Sequence, residues 1–104
     1  MIKERIEERV AKWLKSLNEK EHSQALLLNA YFSLRRNKPD EDAKLGAPIE
    51  EPKTTDEIID DLMSMMPMTK EVVVGWLQSH EYGMTTVADG TVKWAIWRFV
   101  DTTV

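Results

Sequence analysis

Apolar side chains recur every three to four residues near the start of the chain, with charged side chains between them. The apolar positions are Ile2, Ile6, Val10, Trp13, Leu14 and Leu17. This spacing predicts an amphipathic helix over residues 2–17. A more uniformly apolar stretch predicts a buried second helix over 21–36. Arg35 and Arg36 would then lie at its C-terminal end, where the backbone carbonyls favour cations.

The second half of the chain begins with two short helical patterns. Thr54 and Glu57 have the spacing of a capping box, which predicts a helix over 55–66. Thr69 is in position to cap a further helix over 70–80. The helix patterns therefore predict a closely spaced pair, separated by a turn of only a few residues.

Beyond Gly83 the hydrophobic pattern changes to a period of two. This alternation predicts a β-hairpin with strands over 84–88 and 91–99. The dipeptide Asp89-Gly90 between them favours a tight two-residue turn, because both of its central positions adopt a positive φ.

Residues 37–53 separate the two halves and contain three of the four prolines and no hydrophobic period. This composition predicts an acidic, proline-containing loop. The sequence therefore predicts one mainly α-helical α+β domain with a small β-hairpin. It would consist of an N-terminal helical pair (1–36), the loop (37–53) and a helix pair with a hairpin (54–104).

The order of the second half resembles the winged helix-turn-helix superfamily. The resemblance covers residues 54–99: a helix opened by Thr54–Ile58, a turn at Met66–Thr69, a second helix, Tyr82-Gly83 and a hairpin as the wing. It lies at the level of the fold, and no subfamily motif stands out. In this superfamily the second helix of the pair lies in the major groove of DNA and the wing contacts backbone or minor groove. The resemblance further implies that 21–36 is the first helix of the motif and that Lys53 or Thr54 supplies a short third strand.

The charge of this same region disfavours DNA. Residues 54–104 carry three Lys and Arg against eight Asp and Glu, a net charge of −5. Neutralisation of phosphates is the main source of affinity for nucleic acids, so a DNA-binding surface normally has the opposite sign. We therefore favour a non-enzymatic interaction module that binds a protein partner or self-associates, with a DNA-binding transcriptional regulator as the alternative.

Each function has its own candidate residues. The expected protein-binding surface is an exposed strip on the helix pair, together with the sheet face around Trp97: Met65, Val74, Gly75, Gln78 and Trp97. The DNA-binding alternative would use Lys70, Gln78, Ser79, Lys93 and Arg98. A glycine inside a helix costs about 1 kcal/mol relative to alanine, so Gly75 also favours close packing with another element. Helix 2–17 would extend the core or mediate dimerisation.

The sequence offers little for catalysis or metal binding. There is no cysteine, and His22 and His80 are lone histidines, whereas a metal site needs several convergent ligands. The acidic runs 40–42 and 60–61 lack the spacing of a calcium loop. We expect no catalytic residue, metal or cofactor, and a core or helix-end role for His80. No apolar run approaches the roughly 18 residues of a membrane helix, so we expect a cytoplasmic protein.

Overall fold

The structure, a computed structural model, describes residues 2–39 and 47–99 and confirms the mixed α+β class. In these two ranges the helices are α1 (Ile2–Lys15), α2 (Glu19–Tyr31), α3 (Thr55–Leu62) and α4 (Lys70–Ser79). The strands are β1 (Arg35–Arg36), β2 (Pro48–Glu50), β3 (Met84–Thr86), β4 (Val92–Trp94) and β5 (Trp97–Phe99). Residues 40–46 of the predicted loop, including its acidic run, and residues 100–104 lie outside the described residues.

Side-chain caps fix the beginnings of three helices. At α3, the amide N of Glu57 donates to Thr54 Oγ1 at 3.1 Å and the amide N of Thr54 donates to the Glu57 carboxylate at 2.9 Å. This confirms the predicted capping box. The Thr69 hydroxyl caps α4 as predicted. Asn18 and Glu21 form a further capping box at α2, which the sequence prediction had not identified.

The second helix is shorter than predicted. It ends at Tyr31, the chain turns over 32–34, and Arg35 and Arg36 form β1 instead of a helix terminus. The reason is tertiary, because β1 gains its backbone hydrogen-bond partners from β5, far along the chain. The predicted helix 55–66 also ends early, at Leu62, and tightens into a turn in which Met65 N donates to Leu62 O. The remaining helix ends lie within two residues of the predictions, which is the ordinary uncertainty of helix boundaries.

The hairpin turn differs from the predicted two-residue type. Val87 N donates to Thr91 O at 2.9 Å, so the loop contains the three residues 88–90. Of these only Gly90 has a positive φ, +88°. The Asp89 carboxylate accepts a hydrogen bond from Thr91 N instead. Three-residue loops with glycine in the left-handed region are the next most common hairpin connection.

The predicted second hairpin arm, 91–99, is not a single strand. β4 pairs with β3, whereas β5 lies at the centre of a separate antiparallel sheet with the order β1-β5-β2. Part of the predicted loop, Pro48–Glu50, therefore forms a strand. Lys53 forms an isolated antiparallel bridge with Trp94 and so connects the start of α3 to β4.

The core lies where α2, α3 and α4 meet the strands around Ile96. Leu28, Ile58, Leu77 and Ile96 are completely buried. A buried polar side chain, Gln24 of α2, accepts a hydrogen bond from the Thr69 amide and thereby fixes the beginning of α4 against α2. α1 packs across α4 from outside this core.

Candidate functional site

A groove lies between α4 and the β3–β4 hairpin, which we call the ribbon groove. Its volume is about 330 Å³. The residues that line it are Thr54, Thr55, Asp56, Lys70, Val74, Met84, Val92 and Trp94. Its position follows from the hairpin, which leaves α4 after Gly83 and returns so that Trp94 reaches the start of α3.

The wall formed by the hairpin is apolar and exposed. Met84 and Val92 retain 52% and 54% of their exposure, and Val74 on α4 is half-buried. The indole of Trp94 closes the groove, and its Nε1 donates to Thr55 Oγ1 at 3.0 Å. Since the polar atom of Trp94 already has its partner, an occupant would meet hydrocarbon and aromatic surface on this wall and the charged pair Asp56 and Lys70 on the opposite side.

The cations near the groove are paired with acids. Lys70 Nζ lies 3.4 Å from Asp56 Oδ1, and Lys93 Nζ lies 3.2 Å from Glu57 Oε1. The hydrogen bond from the Thr54 amide, followed by that from Lys93, lowers the pKa of Glu57, so this acid is charged at neutral pH. The rim of the ribbon groove therefore has little net charge.

The residues predicted for DNA contact do not form one positive surface. Ser79 is buried, and its hydroxyl donates to Trp76 O at 3.0 Å, so its predicted role in DNA contact is wrong. Arg98 lies on β5 and forms an ion pair with Glu51, away from the β3–β4 hairpin. Gln78 is exposed on α4.

The predicted protein-binding strip is interrupted. Met65, 74% exposed, lies in the turn after α3, and Val74 lies in the ribbon groove. Gly75 is covered: a Cβ at this position would clash with the indole Nε1 of Trp13 on α1. This agrees with the expected close packing of Gly75 and excludes it from an open strip. Trp97 is partly buried on β5, opposite Arg36 and Glu50 in the other sheet.

Two groove residues were missed. The period of two predicts that Met84 and Val92 are hairpin residues, but it gives them no role in binding. Their pairing across the β3–β4 ladder places Met84 opposite Trp94 and Thr86 opposite Val92. Side chains directly opposite one another share a face of the sheet, so the register would have identified them.

A second concave site lies at the C-terminal end of α4, and we call it the aromatic cavity. Its volume is about 310 Å³. The side chains that characterise it are Asn29, Phe32, Arg36, Trp76, His80 and Tyr82. Ile6 of α1 also lines it, so α1 contributes to its walls.

Trp76 is the central side chain of this cavity. Phe32 stacks on it with ring centroids 4.5 Å apart, and His80 stacks on it with a separation of 3.7 Å. The indole Nε1 donates to Asn29 Oδ1 at 2.8 Å. His80 Nδ1 lies 2.7 Å from Trp76 O, one turn back along the helix. Trp76 and His80 are four residues apart, a spacing that places both on one helix face and that a search for aromatic pairs would have found.

Burial determines the protonation of this site. Desolvation lowers the pKa of His80 below its ordinary value of 6.5, and it raises the pKa of Tyr82. Both side chains are therefore uncharged at neutral pH. His80 lies at the end of α4, in agreement with the expected helix-end role. Asn37 Nδ2 donates to the carbonyl oxygens of His80 and Glu81, which fixes the chain where Glu81 adopts a φ of +62°.

Besides the two concave sites, a polar cluster around Glu51 connects the three-stranded sheet to the helices. Glu51 accepts from Arg35 Nε at 2.9 Å and also pairs with Arg98. The Arg35 guanidinium lies 4.1 Å from the ring centroid of Tyr31, whose hydroxyl donates to Asp61. Each charge in this cluster has a partner on another element, which is the arrangement of a structural brace.

Asp61 is the acid at the helical end of this brace. Partial burial alone would raise the pKa of Asp61, but hydrogen bonds from Lys53 and Tyr31 outweigh that effect and lower it. The carboxylate is therefore charged at neutral pH and stays bonded to both partners. It has the role of a fixed acceptor and not that of a proton donor.

Neither a metal site nor a membrane span is present in the described part of the chain. No three His, Asp or Glu side chains there are close enough to hold a metal ion. None of the helices within 2–39 and 47–99 is long and apolar enough to cross a bilayer. Comparisons of the chain with protein-family models, curated proteins and solved structures found no match, so the winged-helix resemblance stays a prediction.

Proposed function

We propose that this protein is a non-enzymatic, winged-helix-like interaction module that binds an apolar segment of a protein partner in the ribbon groove. The observation that carries the proposal is the exposure of Met84 and Val92 beside Val74, around one groove. Exposed apolar side chains are common singly, but a group that lines a concavity is typical of a binding surface.

The winged-helix part of the proposal is supported by the order of elements. α2, α3 and α4 precede the β3–β4 hairpin, and Lys53 bridges to Trp94 on the hairpin. Two features depart from the minimal fold. α1 packs on α4, and β5 leaves the hairpin to pair with β1 and β2.

The charge arrangement favours a protein over DNA. A DNA-binding surface needs cations that are available to phosphates. Lys70, Lys93 and Arg98 each lie beside an acid of this chain. Binding of phosphates there would require these ion pairs to separate, and it would bring phosphates close to the acids.

A peptide selection tests the proposal. A library of random peptides is selected on the wild-type protein and counter-selected on Val92→Glu, which places a charge in the groove. Leu26→Glu is the matched control, because Leu26 is 68% exposed on α2 and does not line the groove. We expect peptides with two or three apolar side chains that bind wild type and Leu26→Glu equally, lose affinity for Val92→Glu, and tolerate added salt.

The DNA-binding alternative predicts a different result, which a titration of the same protein measures. A mixed-sequence DNA duplex is titrated at low and at moderate salt, and backbone amide shifts are followed by NMR. Shifts confined to residues 69–81 and 86–93 that vanish with salt would replace the proposal with the DNA-binding alternative. Selected peptides that bind Val92→Glu as well as wild type would also contradict it.

A further inference from the structure

The aromatic cavity has a charge pattern that the proposed function does not use. Two arginines, Arg35 and Arg36, and no carboxylate are among its described lining residues. Arg35 is already paired with an acid: its Nε donates to Glu51 at 2.9 Å, a carboxylate that it shares with Arg98, and its Nη1 donates to Tyr31 O at 2.6 Å. The cavity is therefore a positive site on a protein whose net charge is −4.

Arg36 provides that positive charge. Its Nη1 donates to Ser33 O at 3.0 Å and to Arg35 O at 2.8 Å, and both acceptors are neutral carbonyls. These contacts fix the position of the guanidinium without neutralising it. Since a guanidinium carries five N–H donors, several of them stay available to a ligand.

Within residues 6–39 and 47–99, no acidic side chain forms an ion pair with Arg36. The acid nearest in sequence to His80, Glu81, forms an ion pair with Arg9 of α1 at 3.6 Å. His80 is neutral at physiological pH, so it neither attracts nor repels an anion. Tyr82 is also neutral, and its hydroxyl is a potential donor.

The remaining walls are aromatic. The rings of Phe32 and Tyr82 lie 5.1 Å apart, and the Trp76–His80 stack completes the wall. The volume of about 310 Å³ is near the lower end of the roughly 300–1,000 Å³ range of small-molecule pockets. Phe32 and Trp76 are buried, so the accessible aromatic surface is mainly that of the partly buried His80 and Tyr82. A cavity of this size, with aromatic edges and one cation that no acid of its described lining opposes, suits a small planar anion.

We propose that the aromatic cavity binds a small aromatic carboxylate, with the carboxylate on the Arg36 guanidinium and the ring against the aromatic wall. The planar fork of a guanidinium matches a carboxylate with two parallel hydrogen bonds. A bulky, multiply charged phosphate ester would need more cations than the described part of this cavity provides. The proposal is independent of the ribbon groove.

The test compares two probes of the same shape. Benzoate and its neutral analogue benzamide are titrated into the full chain, and amide shifts are followed by NMR. We expect benzoate to bind in the millimolar range, with shifts concentrated in residues 29–37 and 76–82. Benzamide should bind about tenfold more weakly, because it lacks the negative charge that strengthens the hydrogen bonds to a guanidinium.

Two variants with the same change in charge identify the contact. Arg36→Gln should remove the preference for benzoate over benzamide. Lys38→Gln is the matched control, because Lys38 is exposed two positions along the chain and does not line the cavity. Circular dichroism checks that both variants fold. Absence of benzoate shifts, equal binding of the two probes, or equal effects of the two variants would each overturn the proposal.

Discussion

The two sides of α4 differ in what covers them. On one side α1 lies across the helix, Trp13 covers Gly75, and Trp76 is enclosed between Phe32 and His80. On the other side Val74 faces the ribbon groove, whose hairpin wall is more than half exposed. The consecutive residues Val74, Gly75 and Trp76 thus lie in an open groove, under α1 and in an aromatic stack, respectively.

This difference shows what helical periodicity can and cannot predict. The period of the apolar residues correctly places Val72, Val73, Trp76 and Leu77 in the core. It does not tell which element lies over the remaining positions. The sequence predicts that Val74 and Gly75 both belong to an exposed strip on α4. In the structure α1 covers Gly75 and leaves Val74 in the ribbon groove.

Truncation of Trp76 gives the largest expected effect and tests whether the covered side carries the stability. Trp76→Ala removes the ring between Phe32 and His80, and we expect a loss of about 3–5 kcal/mol in the free energy of unfolding. Val74→Ala, on the open side, should cost about 1 kcal/mol or less because the side chain is only half-buried. Urea unfolding followed by circular dichroism measures both. Equal losses would contradict the difference between the two sides.

The next effect tests the contact between α1 and α4. Gly75→Val introduces atoms where the Trp13 indole lies, and such overpacking costs about 1–3 kcal/mol. Gly83→Ala is the matched control, since no atom lies within 4 Å of a Cβ at that position.

A double-mutant cycle assigns that cost to one pair of residues. In a Trp13→Ala background the penalty of Gly75→Val should largely disappear, because the clashing ring is gone. A penalty that persists without Trp13 would show that another group opposes the side chain at position 75.

A charge on the open side should affect binding and not the fold. Val74→Glu places a carboxylate in the ribbon groove, where it can reach solvent. We expect the free energy of unfolding to fall by less than about 1 kcal/mol. Binding of the selected peptides should be lost. If Val74→Glu unfolds the protein, Val74 belongs to the core and the groove is not an independent surface.

The smallest expected effect is a dependence of stability on pH. Burial holds the pKa of His80 below 6.5, so below that pH the unfolded chain binds a proton that the folded protein resists. Stability should therefore fall as the pH drops below about 6.5, well before the carboxylates titrate. His80→Gln should flatten this part of the profile in urea unfolding. An unchanged profile would show that His80 is not the responsible group.

Local signals predicted much of the fold. The capping residues Thr54 and Thr69 and the apolar periods gave the positions of α3 and α4 to within a few residues. The failures at the end of α2 and in the second hairpin arm share one cause, which is pairing between distant parts of the chain. Arg35 and Arg36 became strand residues, and 91–99 divided between two sheets, because β5 pairs with β1 and β2.

The candidate sites were less predictable than the fold. Val74 and Lys70 were identified from sequence, but Met84 and Val92 join them only through the register of the hairpin. The aromatic cavity draws on α1, α2 and α4, so no local pattern could assemble it. The prediction that Ser79 is accessible is wrong because adjacent positions of a helix can face solvent and core. Gln78 is exposed, whereas Ser79 is buried.

The central place of β5 in its sheet also sets an order for folding. β1 and β2 have no hydrogen-bond partner in that sheet except β5, which lies close to the end of the described chain. The contact between α3 and α4 joins neighbouring segments, whereas the sheet, like the contact between α2 and α4, requires a loop-closing encounter between distant segments. During synthesis, α2, α3 and α4 can therefore pack against one another while β1 and β2 still have no strand between them. β5 then joins β1 to β2, and its arrival brings the buried side chains of Ile96 and Phe99 into the core.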